Sequence, residues 1–245
     1  HRVGADIISY MNGYADPRRE KMFTKGVWNN KEDFYGIRIG IDVANKDLFV
    51  TTYSSPVLNE SSPFLWMNAA EVAFLRAEGA LRGWNMGAEA KELYNSAIAL
   101  SFEQYGVSDK AADYIANTEL KPAAYTDPRS AFNDTGGPRS QITIAWEDEG
   151  GLERNLERII TQKWIAIFPL CVEAWSEFRR TGYPKLIPVV ENKSGGTIDS
   201  KIMPRRLWYP PIEYSENSAN LSSAVTNLLG GPDNGGTRLW WDKKP

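Results

Sequence analysis

The side chains best suited to chemistry in this chain are flat rings. Its 245 residues include nine Trp, eleven Tyr and nine Phe. A Trp or Tyr ring offers an apolar face on which the C–H face of a sugar can stack, and a polar edge. Sugar hydroxyls then need Asn, Asp, Gln or Arg nearby. Contact residues of this kind belong in irregular segments with polar neighbours. Trp28 has Asn29, Asn30 and Lys31 beside it, and Trp240 and Trp241 have Arg238 and Asp242. The pair Trp208-Tyr209 sits with Arg205, Arg206 and Pro210. Trp28, Trp208, Tyr209, Trp240 and Trp241 are therefore the candidate ligand contacts. For Trp208-Tyr209, docking of the tail onto the helices is the stronger assignment. Trp66, Trp164 and Trp175 fall on helical stripes and are assigned to the core. Trp84 and Trp146 lie near helix ends, and spacing assigns them to neither group.

Other chemistries find little support. The run Glu147, Asp148 and Glu149 would interest a glycosidase, which needs two carboxylates at a set separation. Consecutive acids before Gly150-Gly151 suit a solvated loop better. His1 is the one His and Cys171 the one Cys, too few for a zinc site built from such ligands. A Ser-His-Asp or Cys-His mechanism would have to run through the terminal His1. The loops NDTGG (133–137) and PDNGG (232–236) lack the alternating acids and closing Glu of an EF-hand, so turn chemistry is the default. No metal, cofactor or catalytic residue is assigned. Arg179 and Arg180, near the C-terminal end of a helix, could bind an anion, but complementing the helix dipole and capping carbonyls is the stronger reading.

The chain carries 28 Lys+Arg against 31 Asp+Glu, a formal charge of −3. That mildly acidic balance, with a pI near 5.4, disfavours a general nucleic-acid binder. At 27.5 kDa the chain can bury a substantial core. One Cys excludes an internal disulfide, which fits a reducing compartment or a large surface domain equally. No signal peptide, lipidation motif or membrane-length apolar run is present. The first residue is His rather than Met, and the abrupt opening predicts that part of a longer protein is absent.

These residues have to be positioned by helices. A short helix is expected over 5–13, then a turn through Asp16-Pro17 and a basic patch in ADPRREKMF. Tyr35, Ile37, Ile39 and Ile41 alternate with Gly36, Arg38 and Gly40, which predicts an extended, irregular edge. Ser62-Pro63 reads as N-cap and first turn of a helix to about Arg82, closed by Gly83. A second helix is predicted over 88–105, with Ala90, Leu93, Tyr94, Ala97, Ile98, Phe102 and Tyr105 on one face. So short a turn makes an antiparallel hairpin, 63–105, with tetratricopeptide proportions. One such unit cannot bury both faces alone, so companion helices must come from elsewhere in the chain or from an absent portion. Ser108 is a candidate cap for a short helix through Tyr114 and Ile115. Residues 118–139 read as loop. Helix returns near Leu152 with a Leu156, Ile159, Ile160, Ile167 stripe, bends at Pro169 and stops at Gly182, giving a helical pair over 150–182. Residues 183–245 form an irregular tail packed on the helices, helical only over 220–229. The fold class is mainly α, with tetratricopeptide-like hairpins, long irregular loops and minor β.

Three stretches together resemble the C-terminal half of the SusD/RagB family of nutrient-binding outer-membrane lipoproteins of Bacteroidetes. They are FLWMNAAEVAFLRAEGALRGWNMG with AKELYNSAIALSFEQYG, LERIITQKWIAIFPLCVEAWSEFRRTGYP, and PRRLWYPPIEYSENSANLSSAV. The resemblance implies a helical, non-enzymatic protein with a ligand face made of irregular insertions, so that residues 1–245 would be the C-terminal portion of a SusD-like domain. It implies a place on the outer face of the outer membrane, held by a lipidated N-terminal Cys absent from this chain. It also implies capture of an oligosaccharide, or in some branches a peptide, for a SusC-like TonB-dependent transporter. Cys171 lies inside a helix and cannot be the lipid site. The readings set against capture are a tetratricopeptide-type adaptor for protein segments and a helical-barrel glycoside hydrolase.

Overall fold

The computed structural model describes residues 1–43 and 45–243. The helical hairpin forms, but its first helix, α4 (Ala69–Leu81), begins later than Ser62-Pro63 predicts. The Asn68 side chain accepts from the Glu71 amide at 2.7 Å, an N-cap with Glu at the third helical position. Asn68 also donates to the Ala166 carbonyl at 2.9 Å, so tertiary contact reinforces the cap. The Ser62 hydroxyl is used elsewhere, accepting from the Asn59 amide. Residues 63–67 are therefore not helical, and Trp66, assigned to the core from its spacing, is 85% exposed. That assignment is corrected: without the helix, the stripe that would have turned Trp66 inward does not exist.

Four helices precede or complete the hairpin in chain order: α1 (Ala5–Gly13), α2 (Arg19–Met22), α3 (Lys46–Thr52) and α5 (Ala90–Gln104). Ser108 opens a short 3-10 turn without a side-chain cap, and α6 (Ala111–Ile115) follows it. The long helix α7 (Gly151–Ala166) runs through the middle of the core. Its Ile159, Ile160 and Ile165 are fully buried with Phe74 and Ala77 of α4 and Tyr94, Ile98 and Phe102 of α5. The predicted faces of α5 and α7 are the ones that pack. Trp164 flanks this core, edge-on to Tyr10 of α1 at 5.6 Å. Trp146 packs on Tyr94 at a tilt, with ring centroids 5.5 Å apart, whereas Trp84 is exposed.

The expected basic patch after Asp16-Pro17 is corrected at Arg18, which is fully buried with Asp16. Its guanidinium donates to both Asp16 oxygens, to Ser101 and to Gln162, and lies 4.8 Å over the Phe102 ring. An Arg can be buried when every donor direction has a partner.

Among the described residues the sheet is one hairpin of two strands, β1 (Gly26–Trp28) and β2 (Lys31–Asp33), paired Trp28 to Lys31. Its turn residues Asn29 and Asn30 both have positive φ, the geometry of a two-residue hairpin turn. Trp28 thus sits at a strand end rather than in an irregular segment. The expected extended edge over 35–41 is corrected: Ile37 bridges Gly4, but Ile39-Gly40 is a turn with Gly40 at φ 81°.

After Pro169 the chain turns into α8 (Cys171–Thr181), which ends at Gly182 with φ 73°, a left-handed cap open to glycine. Trp175, assigned to the core, is half-buried, and its indole N–H donates to the Pro204 carbonyl. Ion pairs tie α8 down: Arg180 bridges Glu78 and Glu177, and buried Lys163 reaches Glu173 at 3.1 Å and Glu177 at 3.5 Å. The tail carries α10 (Ser218–Asn227) and an unforeseen short helix, α9 (Pro211–Glu216), with Pro at its first position. The chain is mainly α, with ten α-helices among the described residues. None is long and apolar enough to cross a membrane.

Candidate functional site

The tail is held by carboxylates. Asp242 is buried and accepts from Arg205, with Nε at 2.6 Å, and from Arg238 at 3.2 Å. Asp233 accepts from Arg206, from the Tyr214 hydroxyl and from the Tyr209 amide. Burial alone would raise the Asp233 carboxyl, but Tyr214 and Arg206 outweigh it and hold it below its usual range. The PDNGG loop is therefore a clasp built on Asp233 and on Asn234, which accepts the Gly236 amide. In the NDTGG loop, Asp134 accepts the Asp127 amide. Among the described residues no group of three or more His, Cys, Asp or Glu could hold a metal ion.

These clasps set the candidate rings. Trp240, 80% exposed, lines an open cleft of about 680 Å³ with Leu228, Leu229, Arg238, Asp242 and Lys243. Trp241 belongs to a different environment, half-buried with its ring 5.1 Å from the Arg179 guanidinium. Arg179 lies 3.7 Å from the Trp175 ring and donates to the Arg205 carbonyl. It thus ties α8 to the tail, beyond the dipole role read for it. Trp208 is 65% exposed, while Tyr209 is half-buried under Arg206 at 4.9 Å. Trp28 has the Arg129 guanidinium 5.9 Å from its ring. The Arg129 amide donates to Asp127, and the same loop exposes Phe132.

A second set of rings went unread in the sequence. Phe64 and Trp66 stand edge to face at 6.4 Å, and both are largely exposed. With Leu58, Met67, Leu170 and Val172 they line a cleft of about 740 Å³ at the start of α4 and α8. Across the Pro169 bend, Trp164, Trp175 and Leu207 line another of about 580 Å³. The failed Ser62-Pro63 cap is what leaves the first of these rings out, and the competing Asn68–Glu71 pair was the signal for it.

The acidic run holds structure. Glu147 accepts from Arg154 and pairs with buried Arg158, and the Arg154 hydrogen bond keeps its carboxyl low. Asp148 pairs with Lys91 at 3.0 Å. No carboxylate pair straddling an open cleft emerges from these residues.

Comparison with known proteins follows the same lines. The family model for SusD-like proteins, described as SusD and RagB outer membrane lipoprotein, matches residues 1–242. A SusD homologue of Bacteroides thetaiotaomicron VPI-5482 is 52% identical, with a TM-score of 0.93 over 100% of this chain and 52% of its own. One from Bacteroides uniformis ATCC 8492 is 46% identical, with a TM-score of 0.93 over 98% of this chain and 49% of its own. A chitin-binding SusD homologue from Flavobacterium johnsoniae is 44% identical, with a TM-score of 0.85 over 100% of this chain and 50% of its own. The chain spans about half the length of these solved relatives. No curated protein matches it. By sequence across residues 1–242 and by backbone throughout, this chain belongs to the SusD-like family of SusD and RagB outer membrane lipoproteins.

Proposed function

We propose that the chain is the C-terminal portion of a SusD-like protein that captures a nutrient at the cell surface without cleaving it. The ligand is an oligosaccharide. Hand-over is to a SusC-like TonB-dependent transporter on the extracellular face of the outer membrane. The observation that carries this is the setting of Trp240, an exposed ring in an open cleft whose rim is Arg238, Asp242 and Lys243. A ring face takes the C–H side of a sugar, and cationic donors take its hydroxyls. Trp28 with Arg129, exposed Trp208, Tyr209 and Trp241 are further contacts in this account. Membership of a family with a chitin-binding relative supports the glycan version. The use of Glu147 in ion pairs supports capture over hydrolysis.

Titration with a glycan panel that includes chito-oligosaccharides tests it, read by Trp fluorescence and calorimetry with mass analysis of the sugar afterwards. Saturable quenching with intact sugar is the expected result. Quenching by peptides alone would reassign the protein to peptide capture, and cleaved sugar would contradict the non-catalytic reading.

A further inference from the structure

A second, smaller cleft of about 150 Å³ lies where α8 ends against the tail. Its walls carry Arg139, Arg179, Lys185, Lys201 and Arg205, and among the described residues no carboxylate lines it. Two of these cations have carboxylate partners within reach: Arg205 is bound by Asp242, and Lys185 stands 3.6 Å from Glu157. Arg139 spends its Nε on the Leu186 carbonyl. Exposed Lys201 has no carboxylate partner among the described residues. Arg179 is 91% buried by its 9% exposure, has no ion pair among the described residues, and its Nε lacks a hydrogen-bond partner there. Burial and the neighbouring Arg205 charge disfavour its charged form, more than the Asp242 carboxylate offsets. A cationic pocket with a buried, incompletely bonded guanidinium is stabilised by an anion and destabilised without one.

The Arg205–Asp242 pair joins this cleft to the one that holds Trp240. Arg205 lines the cationic cleft and Asp242 the Trp240 cleft. Trp241 covers Arg179 from the tail side. An acidic group on a chain stacked at Trp240 would therefore meet this pocket next. We infer that the cleft of Arg139, Arg179, Lys185, Lys201 and Arg205 binds the carboxylate or sulfate of an acidic oligosaccharide whose neighbouring units occupy the Trp240 cleft. This rests on the glycan reading above and narrows it to acidic sugars. A fork of guanidinium donors suits both anions, since each presents paired oxygens.

The test compares four probes of matched length where they are sugars: a uronate oligosaccharide, a sulfated one, a neutral one and inorganic sulfate. Each is titrated by calorimetry into the unaltered chain and into Lys201→Glu, Lys185→Gln and Trp240→Ala. The Lys201 and Lys185 side chains are on the surface, and melting temperatures check that the variants fold. At least one acidic sugar is expected to bind more tightly than the neutral one, and which one does separates carboxylate from sulfate. Lys201→Glu should weaken it about tenfold, the scale of one charge-assisted contact, and leave the neutral sugar unchanged. Raising the salt should weaken the acidic sugar selectively. Equal binding of acidic and neutral sugars, both lost in Trp240→Ala and untouched by Lys201→Glu, would overturn the acidic site while the glycan reading stands. Inorganic sulfate binding as tightly as the acidic sugars would overturn it too, leaving a general anion site. Binding of none of the sugars would defeat the glycan reading and this inference with it.

Discussion

The helical body and the tail both contain Arg–Asp pairs sealed from water, and they use them differently. In the body, Arg18 and Asp16 sit fully buried amid a dense apolar core, beneath the Phe102 and Tyr114 rings. In the tail, Arg205 and Asp242 are almost as buried, but from residue 184 onward only Ile187 and Leu221 are buried hydrophobics among the described residues. The tail's large apolar side chains, including Leu207, Trp208, Ile212 and Trp240, face outward. The body is held by hydrophobic burial, to which a polar pair adds specificity of packing. The tail is held by carboxylate clasps, which leaves its rings free. An element that need not spend its aromatics on packing can spend them on a ligand.

Substitutions can break that contrast from either side. Arg18→Ala should have the largest effect, lowering global stability by about 3–5 kcal/mol, because Asp16 would stay buried without its partner. Chemical denaturation measures it, and a small loss would mean the pair contributes little to the body. Asp242→Asn should act locally, costing the tail about 3 kcal/mol as Arg205 loses its partner. Hydrogen exchange should quicken over residues 197–243 while the helices of the body keep their protection. Uniform loss of protection would show that tail and body are one cooperative unit.

Acid sharpens the same comparison through opposite signs. Against burial, Tyr214 and Arg206 hold the Asp233 carboxyl of the tail low, and Arg180 and Arg82 do the same for Glu78 where α4 meets α8. Their contribution is present above the unfolded values, near 4, and is lost as pH falls through the folded ones. Asp6 of α1 runs the other way: burial pushes its carboxyl up to about 6 against the Ile187 amide bond. Its contribution is full below the unfolded value and lost as pH rises through about 6. Between pH 7 and 5 protection factors near α1, corrected for the intrinsic slowing of amide exchange, should rise, and toward pH 3 they should fall over the tail around Asp233 and over the α4–α8 contact at Glu78. A tail unchanged at pH 3 would contradict the clasp account. The smallest effect belongs to Trp66→Ala, which should change stability by no more than about 0.5 kcal/mol, since an exposed ring contributes little packing. A loss of several kcal/mol would restore Trp66 to the core.

The helices were legible where the pattern was long. The α5 face and the Leu156–Ile160 stripe follow from period alone, and Gly182 marks the end of α8 by its freedom at positive φ. Boundaries set by rival caps were not: Ser62-Pro63 has the stronger local signal, and Asn68–Glu71 wins through its bond to Ala166. The β1–β2 turn was readable in Asn29-Asn30 and went unread because the strands are three residues each. In the tail the candidate rings were legible as residues, but their separation into a cleft, a stack on Arg179 and a clasp on Asp233 was not. Those environments depend on pairs far apart in sequence, Arg205 with Asp242 and Arg206 with Asp233, which no local pattern announces.

The most direct measurement of the central claim is calorimetric titration of the best-binding glycan into Trp240→Ala and Trp66→Ala side by side. Both rings are exposed, but only the first stands among cationic donors in the tail. The account predicts that Trp240→Ala weakens binding by about tenfold or more, the loss of roughly one stacked ring, with the melting temperature unchanged, and that Trp66→Ala binds as the unaltered chain does. Equal affinity in all three, or loss confined to Trp66→Ala, would contradict it.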